Sequence, residues 1–343
     1  MTRNSSTSSS NGRLLSVSFL WVIGLIILLE IIGRTFFANN ISGRFEYGYH
    51  PTSGFIEKDD TLNLVRAGGR RFHPQSIKIH KPDDVFRAFV VGDSVPRGPS
   101  LKGAYANQLE QILKGKGVKA EVLNMAIPGF GSRRLQVLLN KALEYEPDLI
   151  IFHLNDSSEF EDEREGRRAQ EFKGWHPKNW LMKSFILRRL YEMKTERLFW
   201  KKLPDEVRIK AGATDADTEL EARLNDKTIA RWHKRLYRVN RETILGLLDK
   251  GVKVVILVQT SYLERHGGSR RIKHRERFAA QWAVNDKVHW RAMADTIDEP
   301  AKAAPLYSDP THMRSAGHRV LAEGLAKFLQ DNQLIELNKM PEH

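Results

Sequence analysis

Hydrophobic positions follow two different patterns along the chain. One uninterrupted apolar run, LLSVSFLWVIGLIILLEIIG, occupies residues 14–33. From residue 86 onward, short β-like apolar runs alternate with segments whose apolar residues recur at helical spacing. The runs typical of strands are 86–94, 120–129, 148–156 and 253–260, and the amphipathic segments typical of helices are 104–115, 132–145, 227–249 and 315–330. This alternation predicts an α/β fold in which helices cover both faces of a parallel sheet.

The apolar run at 14–33 has the length of a membrane span. At ~1.5 Å per residue it matches a hydrocarbon core ~30 Å thick. Its one charged residue, Glu30, lies near the end, and Arg34 follows the run directly. A cleavable signal peptide fits less well, because its apolar region is shorter and GRTFFANN supplies no clean small-residue cleavage site. We expect a retained transmembrane helix, with a signal peptide and a buried core helix as the alternatives.

The charges that flank this expected helix are nearly balanced. Arg3 and Arg13 precede it, and Arg34 and Arg44 follow it, so the positive-inside rule favours neither side. The simpler arrangement leaves the short N-terminal tail in the cytoplasm and the large domain outside, in the periplasm or the extracellular space.

The remaining segments complete the predicted organisation. A Ser-rich stretch opens the chain, and an aromatic and basic stretch (GWHPKNWLMKSFILRRLYEMKTERLFWKK) lies between the third and fourth predicted strands. The predicted segments are a disordered tail (1–13), the anchor (14–33), a connecting region with irregular or short extended structure (34–84), a folded domain (85–332) with a helical insertion (about 157–226), and a tail (333–343).

Composition narrows the function classes. The chain contains no cysteine, which excludes disulfides, thiol catalysis and cysteine–metal sites. Its net charge is +13, but acidic residues are interspersed with the basic ones, and no nucleic-acid-binding motif is present. We therefore expect no nucleic-acid partner. A general solvated surface and an anionic lipid or polysaccharide neighbour both stay open as explanations of the positive charge.

Polar clusters follow three of the predicted strands. They are Gly-Asp-Ser at 92–94, Pro-Gly-Phe-Gly-Ser at 128–132 and His-Leu-Asn-Asp at 153–156, and Asp-Pro-Thr-His at 309–312 lies just before the last predicted helix. Ligands of α/β sheets bind at the carboxyl ends of the strands. These clusters are therefore expected to converge at one edge of the sheet.

With these four blocks in this order, the chain resembles the GDSL-type, or SGNH, hydrolase superfamily, across residues 86–330. Gly92-Asp93-Ser94 matches the first block, NMAIPG at 124–129 the second, Asn155-Asp156 the third and Asp309-x-x-His312 the last. The Arg- and Gly-rich stretch at 66–71 is similar to one in membrane-tethered members. The resemblance implies a three-layer α/β/α, flavodoxin-like fold with a parallel sheet, here joined to an N-terminal transmembrane helix.

The resemblance also implies roles for individual residues, without a cofactor or a metal. Ser94 would be the nucleophile and His312 the general base, with Asp309 orienting the imidazole. The oxyanion hole would consist of the backbone N–H groups of Ser94 and Gly129 and the side-chain amide of Asn155.

Two departures from the family pattern bear on substrate recognition. His153 stands where the third block usually has glycine, and the first block continues as Val-Pro-Arg-Gly, which is more cationic than usual. Arg97 and His153 are therefore candidates for substrate contact. For His153 the alternative is a purely structural role, and for Arg97 it is the capping of nearby carbonyls.

The expected function is a serine-dependent acyl ester hydrolase that acts on an acylated (acetylated) glycan or envelope component. The alternatives are an O-acetyltransferase of a surface polysaccharide, an esterase acting on lipid, and, from another class, a catalytically silent scaffold of an envelope or polysaccharide complex. The insertion at 157–226 is expected to cover one side of the cleft. The sequence does not specify the acyl group, the acceptor or the oligomeric state.

Overall fold

The computed structural model describes most of the predicted α/β domain and part of the segment before it. The described residues are 8–33, 35, 54–64, 72–154, 184, 186–187, 190, 226–259, 270–282, 286–296, 304–309 and 312–335. Most of the predicted insertion at 157–226, residues 1–7 and 336–343 of the two predicted tails, and Asn155 lie outside them.

A parallel sheet forms the centre of the molecule. Its strands are β4 (Phe86–Val91), β5 (Ala120–Asn124), β6 (Leu149–Leu154), β7 (Lys253–Val258) and β8 (Val288–Ala292). They lie in the order β5-β4-β6-β7-β8. If β4 is counted as strand 1 of this sheet, the order is 2-1-3-4-5, as in flavodoxin-like folds. In such folds the connections leave in opposite directions from the first and third strands, so the switch point, where ligands bind, lies between β4 and β6.

Helices cover both faces of this sheet because the strands are apolar on both faces. Ala88 and Val90 of β4 pack on one side, and Phe89 and Val91 pack on the other. The helices are α2 (Ser94–Arg97), α3 (Tyr105–Gly115), α4 (Ser132–Ala142), α5 (Asp226–Asp249), α6 (Arg270–Ala280) and α7 (Ser315–Asp331). Side chains of α3 and α7 fill one core, and those of α4, α5 and α6 fill the other. The α/β class, the parallel sheet and the three layers are confirmed.

The connecting region contains more structure than its sequence indicates. It forms a three-stranded antiparallel sheet of β1 (Phe55–Lys58), β2 (Thr61–Leu64) and β3 (Gln75–Lys78). Phe55, Leu62, Leu64, Phe72 and Ile77 are buried in the same core as α4 and α5. Strands of four residues are too short for their alternation to stand out in a sequence, so only short extended structure was expected there.

The N-terminal helix α1 runs from Ser8 to Ile32, so it includes residues 8–13 of the segment predicted as a disordered tail. Its side chains are described from Val17 onward, and most of them are exposed and apolar. Among the described residues, no helix is both long enough and apolar enough to cross a membrane. The side chains of residues 14–16, at the start of the predicted anchor (14–33), lie outside the described ones, so the anchor stays a prediction.

The other predicted elements match the structure with modest differences. The strand predicted at 120–129 ends earlier, at Asn124, and a short loop follows it. The strand predicted at 148–156 is present as Leu149–Leu154, and residues 155–156 lie outside the described residues. The helix predicted over 132–145 ends at Ala142 and continues as a 3-10 turn to Tyr145. Neither α6 nor β8 was predicted.

Candidate active site

A sharp turn presents Ser94 at the carboxyl end of β4. Ser94 is the first residue of the short helix α2, and the Asp93 carboxylate accepts a hydrogen bond from the Val95 N–H at 3.1 Å. Gly92 makes the turn possible, since a Cβ there would lie 2.5 Å from Pro96 Cγ and 3.0 Å from His153 Cβ. The turn therefore folds tightly over the end of β6, at the switch point of the sheet.

Ser94, His312 and Asp309 form a continuous hydrogen-bonded series. His312 Nε2 lies 2.8 Å from Ser94 Oγ, and His312 Nδ1 lies 2.9 Å from Asp309 Oδ2. A carboxylate only accepts, so Nδ1 carries the proton of the neutral ring and Nε2 is free to accept the Ser94 O–H. The structure thus brings together Ser94 of the first block and Asp309 and His312 of the last, although Ser94 and Asp309 are 215 positions apart in the sequence (309 minus 94).

The segment that carries His312 is fixed by its own backbone. The backbone N–H of His312 donates to Asp309 Oδ1 at 2.7 Å, and the Ser308 N–H donates to the His312 carbonyl at 2.8 Å. Tyr307 and Met313 form a β-bridge beside it. The imidazole remains accessible, with 44% of the His312 side chain exposed.

Gly129 lies in the loop after β5 with a φ of +73°, a conformation that glycine adopts without strain. The Arg134 guanidinium donates to the Gly129 carbonyl and lies 4.7 Å from the centre of the Phe130 ring. Within the described residues, neither the Gly129 N–H nor the Ser94 N–H donates to a backbone acceptor. Asn155, the third expected oxyanion donor, lies outside the described residues.

Asn124 joins this loop to the nucleophile turn. Its side-chain amide donates to the Pro96 carbonyl at 3.0 Å and to the Arg97 carbonyl at 3.2 Å, and its Oδ1 accepts from the Ala126 N–H. His73 Nε2 bonds the same Arg97 carbonyl at 3.0 Å. His73, which lies in the predicted connecting region (34–84), thus supports the turn that carries Ser94.

His153 is buried below the turn, with 1% of its surface exposed. Its Nδ1 lies 3.3 Å from the Tyr105 hydroxyl, and its Nε2 lies 3.2 Å from Gln259 Oε1. Burial lowers the pKa of His153 to about 3, so the ring is neutral at ordinary pH. This position corrects the expectation of a substrate contact for His153, because the ring is enclosed by protein.

Arg97 is half-buried at the end of α2, beside the turn. Its carbonyl takes part in the contacts from Asn124 and His73, so the residue stabilises the turn through its backbone. A role of its side chain in substrate contact stays a prediction.

The sequence does not mark Tyr105, His73 or His318 as part of the site. Tyr105 lies between His153 and His318, with ring centres 6.0 and 5.9 Å away. Residues of this kind carry no motif, because only the folded chain brings them beside the turn. In the described part of the chain, no group of three or more His, Asp or Glu side chains is placed to hold a metal ion.

Comparison with known proteins gives structural similarities only. No family model and no curated protein matches the chain. Solved structures similar to it include the acetyl xylan esterase AlAXEase, with 15% identity, a TM-score of 0.45, and coverage of 71% of this chain and 100% of the other. A lipolytic protein of the G-D-S-L family from Veillonella parvula has 10% identity, a TM-score of 0.42, and coverage of 71% and 98%. The psychrotrophic esterase EstA from Pseudoalteromonas sp. has 10% identity, a TM-score of 0.42, and coverage of 73% and 98%. At such identities and TM-scores these similarities do not assign an activity to this chain.

Proposed function

We propose that the protein is a serine-dependent acyl ester hydrolase with Ser94 as nucleophile, His312 as general base and Asp309 as the group that orients His312. The observation that carries the proposal is the hydrogen-bonded series from Ser94 Oγ through both ring nitrogens of His312 to Asp309. A serine hydroxyl needs an adjacent base at neutral pH, and the base needs a fixed tautomer. The three residues meet both conditions.

The reaction proceeds in two acyl transfers. Ser94 Oγ attacks the ester carbonyl while its proton passes to His312 Nε2, and the tetrahedral intermediate then expels the alcohol, which takes that proton. An acyl-serine ester remains. Water gives a proton to His312 and attacks this ester, and the released Ser94 oxygen takes the proton back. Asp309 stays ionised throughout and stabilises the imidazolium.

The oxyanion of each intermediate needs donors that are already in place. We assign this role to the backbone N–H groups of Ser94 and Gly129 and, from the sequence alone, to the side-chain amide of Asn155. The fixed position of Gly129, held by Arg134 at its carbonyl, supports the assignment. Removal of one such donor typically costs about 10²–10³-fold in rate.

The substrate class and the cellular setting are the finer part of the proposal. We place residues 14–33 as a membrane anchor and the catalytic domain outside the cytoplasm, where acylated glycans and envelope components are accessible. The apolar run of the sequence and the exposed apolar side chains of α1 support this setting. An O-acetyltransferase would use the same residues with a carbohydrate hydroxyl in place of the water, so product analysis with and without a sugar acceptor separates the two activities.

The proposal is tested by turnover of an activated acetyl ester and by labelling with a fluorophosphonate, which reacts with activated serines. Wild-type protein is expected to be labelled at Ser94, and Ser94→Ala is expected to abolish both labelling and turnover. Ser76→Ala removes an exposed serine hydroxyl, bonded to Asn63 in the small sheet, and should change neither. Full turnover in Ser94→Ala would refute the mechanism, and a folded wild-type protein that hydrolyses no ester and takes no label would support the silent scaffold.

A further inference from the structure

His318 lies at the meeting point of three elements that carry or adjoin the candidate active site. It belongs to α7, which begins three residues after His312, and only 1% of its surface is exposed. Its ring stacks on Tyr105 of α3, and its Nε2 lies beside Gly98 at the end of α2. None of the catalytic steps above uses this residue, although its burial next to the site is nearly complete.

The contact with α3 is a hydrogen bond that caps a helix from another element. The backbone N–H of Tyr105, the first residue of α3, donates to His318 Nδ1 at 3.3 Å. Residue Ala104 at the N-cap provides no side-chain acceptor, so His318 satisfies one of the free N–H groups of the first helical turn. Because Nδ1 accepts this bond, the proton of the neutral ring is on Nε2.

The contact with α2 is one of close packing. A Cβ on Gly98 would lie 2.9 Å from the Ala104 Cα and 3.2 Å from His318 Nε2. Gly98 also has a φ of +70°, so glycine is required there by both conformation and space. The C-terminal end of α2 is therefore packed closely against the start of α3 and the His318 ring.

The start of α7 is also linked to the start of α3 by a bridging side chain. The Gln108 side-chain amide donates to the Gly103 carbonyl at 2.9 Å and to the Ser315 carbonyl at 3.2 Å. His318 thus adds a second side-chain approach, besides the bond of His312 to Ser94, between this part of the molecule and the turn that carries Ser94.

We propose that His318 is a positioning residue whose imidazole joins the nucleophile turn to the base-bearing segment and thereby sets the distance between Ser94 and His312. The inference rests on the proposed function, since it assigns a role within that reaction. Burial, and secondarily the positive charge of protonated His312, lowers the pKa of His318 to about 4. His318 therefore stays uncharged when His312 becomes an imidazolium, which a second cation at this place would oppose.

The test compares His318→Leu with His318→Asn. Leucine removes the acceptor for the Tyr105 N–H, whereas the asparagine Oδ1 occupies nearly the position of Nδ1. We expect His318→Leu to lower kcat and the rate of fluorophosphonate labelling on the order of 10–100-fold with little change in KM, because displacements of about 1 Å between reacting groups have effects of this size. His318→Asn should recover most of this loss, and His80→Leu, at an exposed histidine of the loop after β3, should have no effect.

The same substitution in a His312→Ala background separates positioning from a general loss of structure. If His318 acts through the base, His318→Leu has no further effect on the labelling rate of folded protein once His312 is absent. An equal loss in both backgrounds, or a His318→Asn variant as slow as His318→Leu, would overturn the inference. If His318→Leu does not fold, His318→Gln replaces it, since it also lacks an acceptor at the Nδ1 position. Failure of wild-type labelling at Ser94 would instead refute the proposed function.

Discussion

At the scale of single residues, the Asp309 carboxylate accepts two hydrogen bonds from His312. Oδ1 accepts the backbone N–H of His312, and Oδ2 accepts from Nδ1 of its ring. In Asp309→Asn the amide presents N–H groups to Nδ1, which favours the tautomer with the proton on Nε2, and that tautomer cannot accept a proton from Ser94. We expect kcat on an activated acetyl ester to fall roughly 10³–10⁴-fold with the fold retained.

A matched control exists for this substitution. Asp60 and His80 form another carboxylate–imidazole pair, 2.8 Å apart and exposed at the surface. Asp60→Asn removes the same chemical group without touching the site, so its kcat should equal that of the wild type. An Asp309→Asn variant within twofold of the wild type would show that Asp309 does not set the tautomer of His312.

Gly129 provides a second prediction at this scale. Its φ of +73° makes alanine strained by on the order of 1 kcal/mol, and relief of that strain rotates the peptide that carries the proposed oxyanion donor. We expect Gly129→Ala to lower kcat by about 10²-fold, as loss of one donor does. Gly117→Ala is the control, because Gly117 has a similar φ of +83° with open space around it and lies in the loop after α3. Steady-state kinetics should show a change only for Gly129→Ala, and equal activities would refute the assignment.

The candidate site could be predicted from the sequence only where residues belong to a motif. Ser94, Asp309 and His312 follow from the four ordered blocks, and the structure brings their side chains into contact. For His153 the sequence leaves both a substrate contact and a structural role open. Its burial favours the structural role, and that burial results from packing that no local pattern encodes. Tyr105 escaped notice for the same reason, since an aromatic residue at the start of an amphipathic helix is typical of any core.

At the scale of elements, the two buried histidines on β6 and α7 make stability depend on pH. The pKa of His153 is lowered to about 3 and that of His318 to about 4, mainly by burial, whereas an unfolded chain has the ordinary value of 6.5. Between these values the unfolded state binds more protons, so the free energy of unfolding falls as the pH drops from about 6.5 to 4. Each histidine contributes roughly a few kcal/mol at most across this window.

Urea unfolding at pH 7, 5.5 and 4.5 measures this dependence. The double variant His153→Asn, His318→Asn cannot bind these protons, so its stability should vary much less over the range. Some carboxylates have a lowered pKa, such as Glu57, which is hydrogen-bonded to Tyr145 and Lys141. Their contribution to the free energy of unfolding is lost mainly below pH 4.5, outside the range of this measurement. A double variant with the wild-type slope would show that these two rings do not control acid stability.

The same scale explains which elements the sequence could predict. The strands β4, β6 and β7 are buried on both faces and read as continuous apolar runs, so they stand out. By contrast, β8 is an edge strand, VHWRA, with three partly exposed positions and no clear alternation. The small sheet β1–β3 depends on contacts with α4 and the main sheet, and contacts between distant segments leave little trace in local periodicity.

At the scale of the whole molecule, Arg87 connects the small sheet to the large one. Its side chain is fully buried in β4, and its guanidinium donates to the carbonyls of Lys78, Ile79 and Tyr145 and to Glu121. Gln75 adds a second link, since its side-chain amide forms two bonds of 2.9 Å with the backbone of Asn124 at the end of β5. We therefore propose that the folded domain begins before β1 and not at residue 85.

This boundary leads to opposite predictions for two truncations. Removal of residues 1–37 takes away the apolar run and spares the small sheet, so the remaining chain should be soluble, unfold cooperatively and label at Ser94, while the full chain sediments with membranes. Removal of residues 1–79 exposes the core that Phe55, Leu62 and Phe72 cover and leaves the buried Arg87 without two of its acceptors. A buried charge that loses its partners is strongly destabilising, so this shorter chain should aggregate or unfold without cooperativity.

Membrane fractionation, urea unfolding and labelling together test both chains. A well-folded 80–343 chain would contradict the domain boundary, and aggregation of the 38–343 chain would contradict the anchor, because it would indicate that residues 14–33 belong to the core.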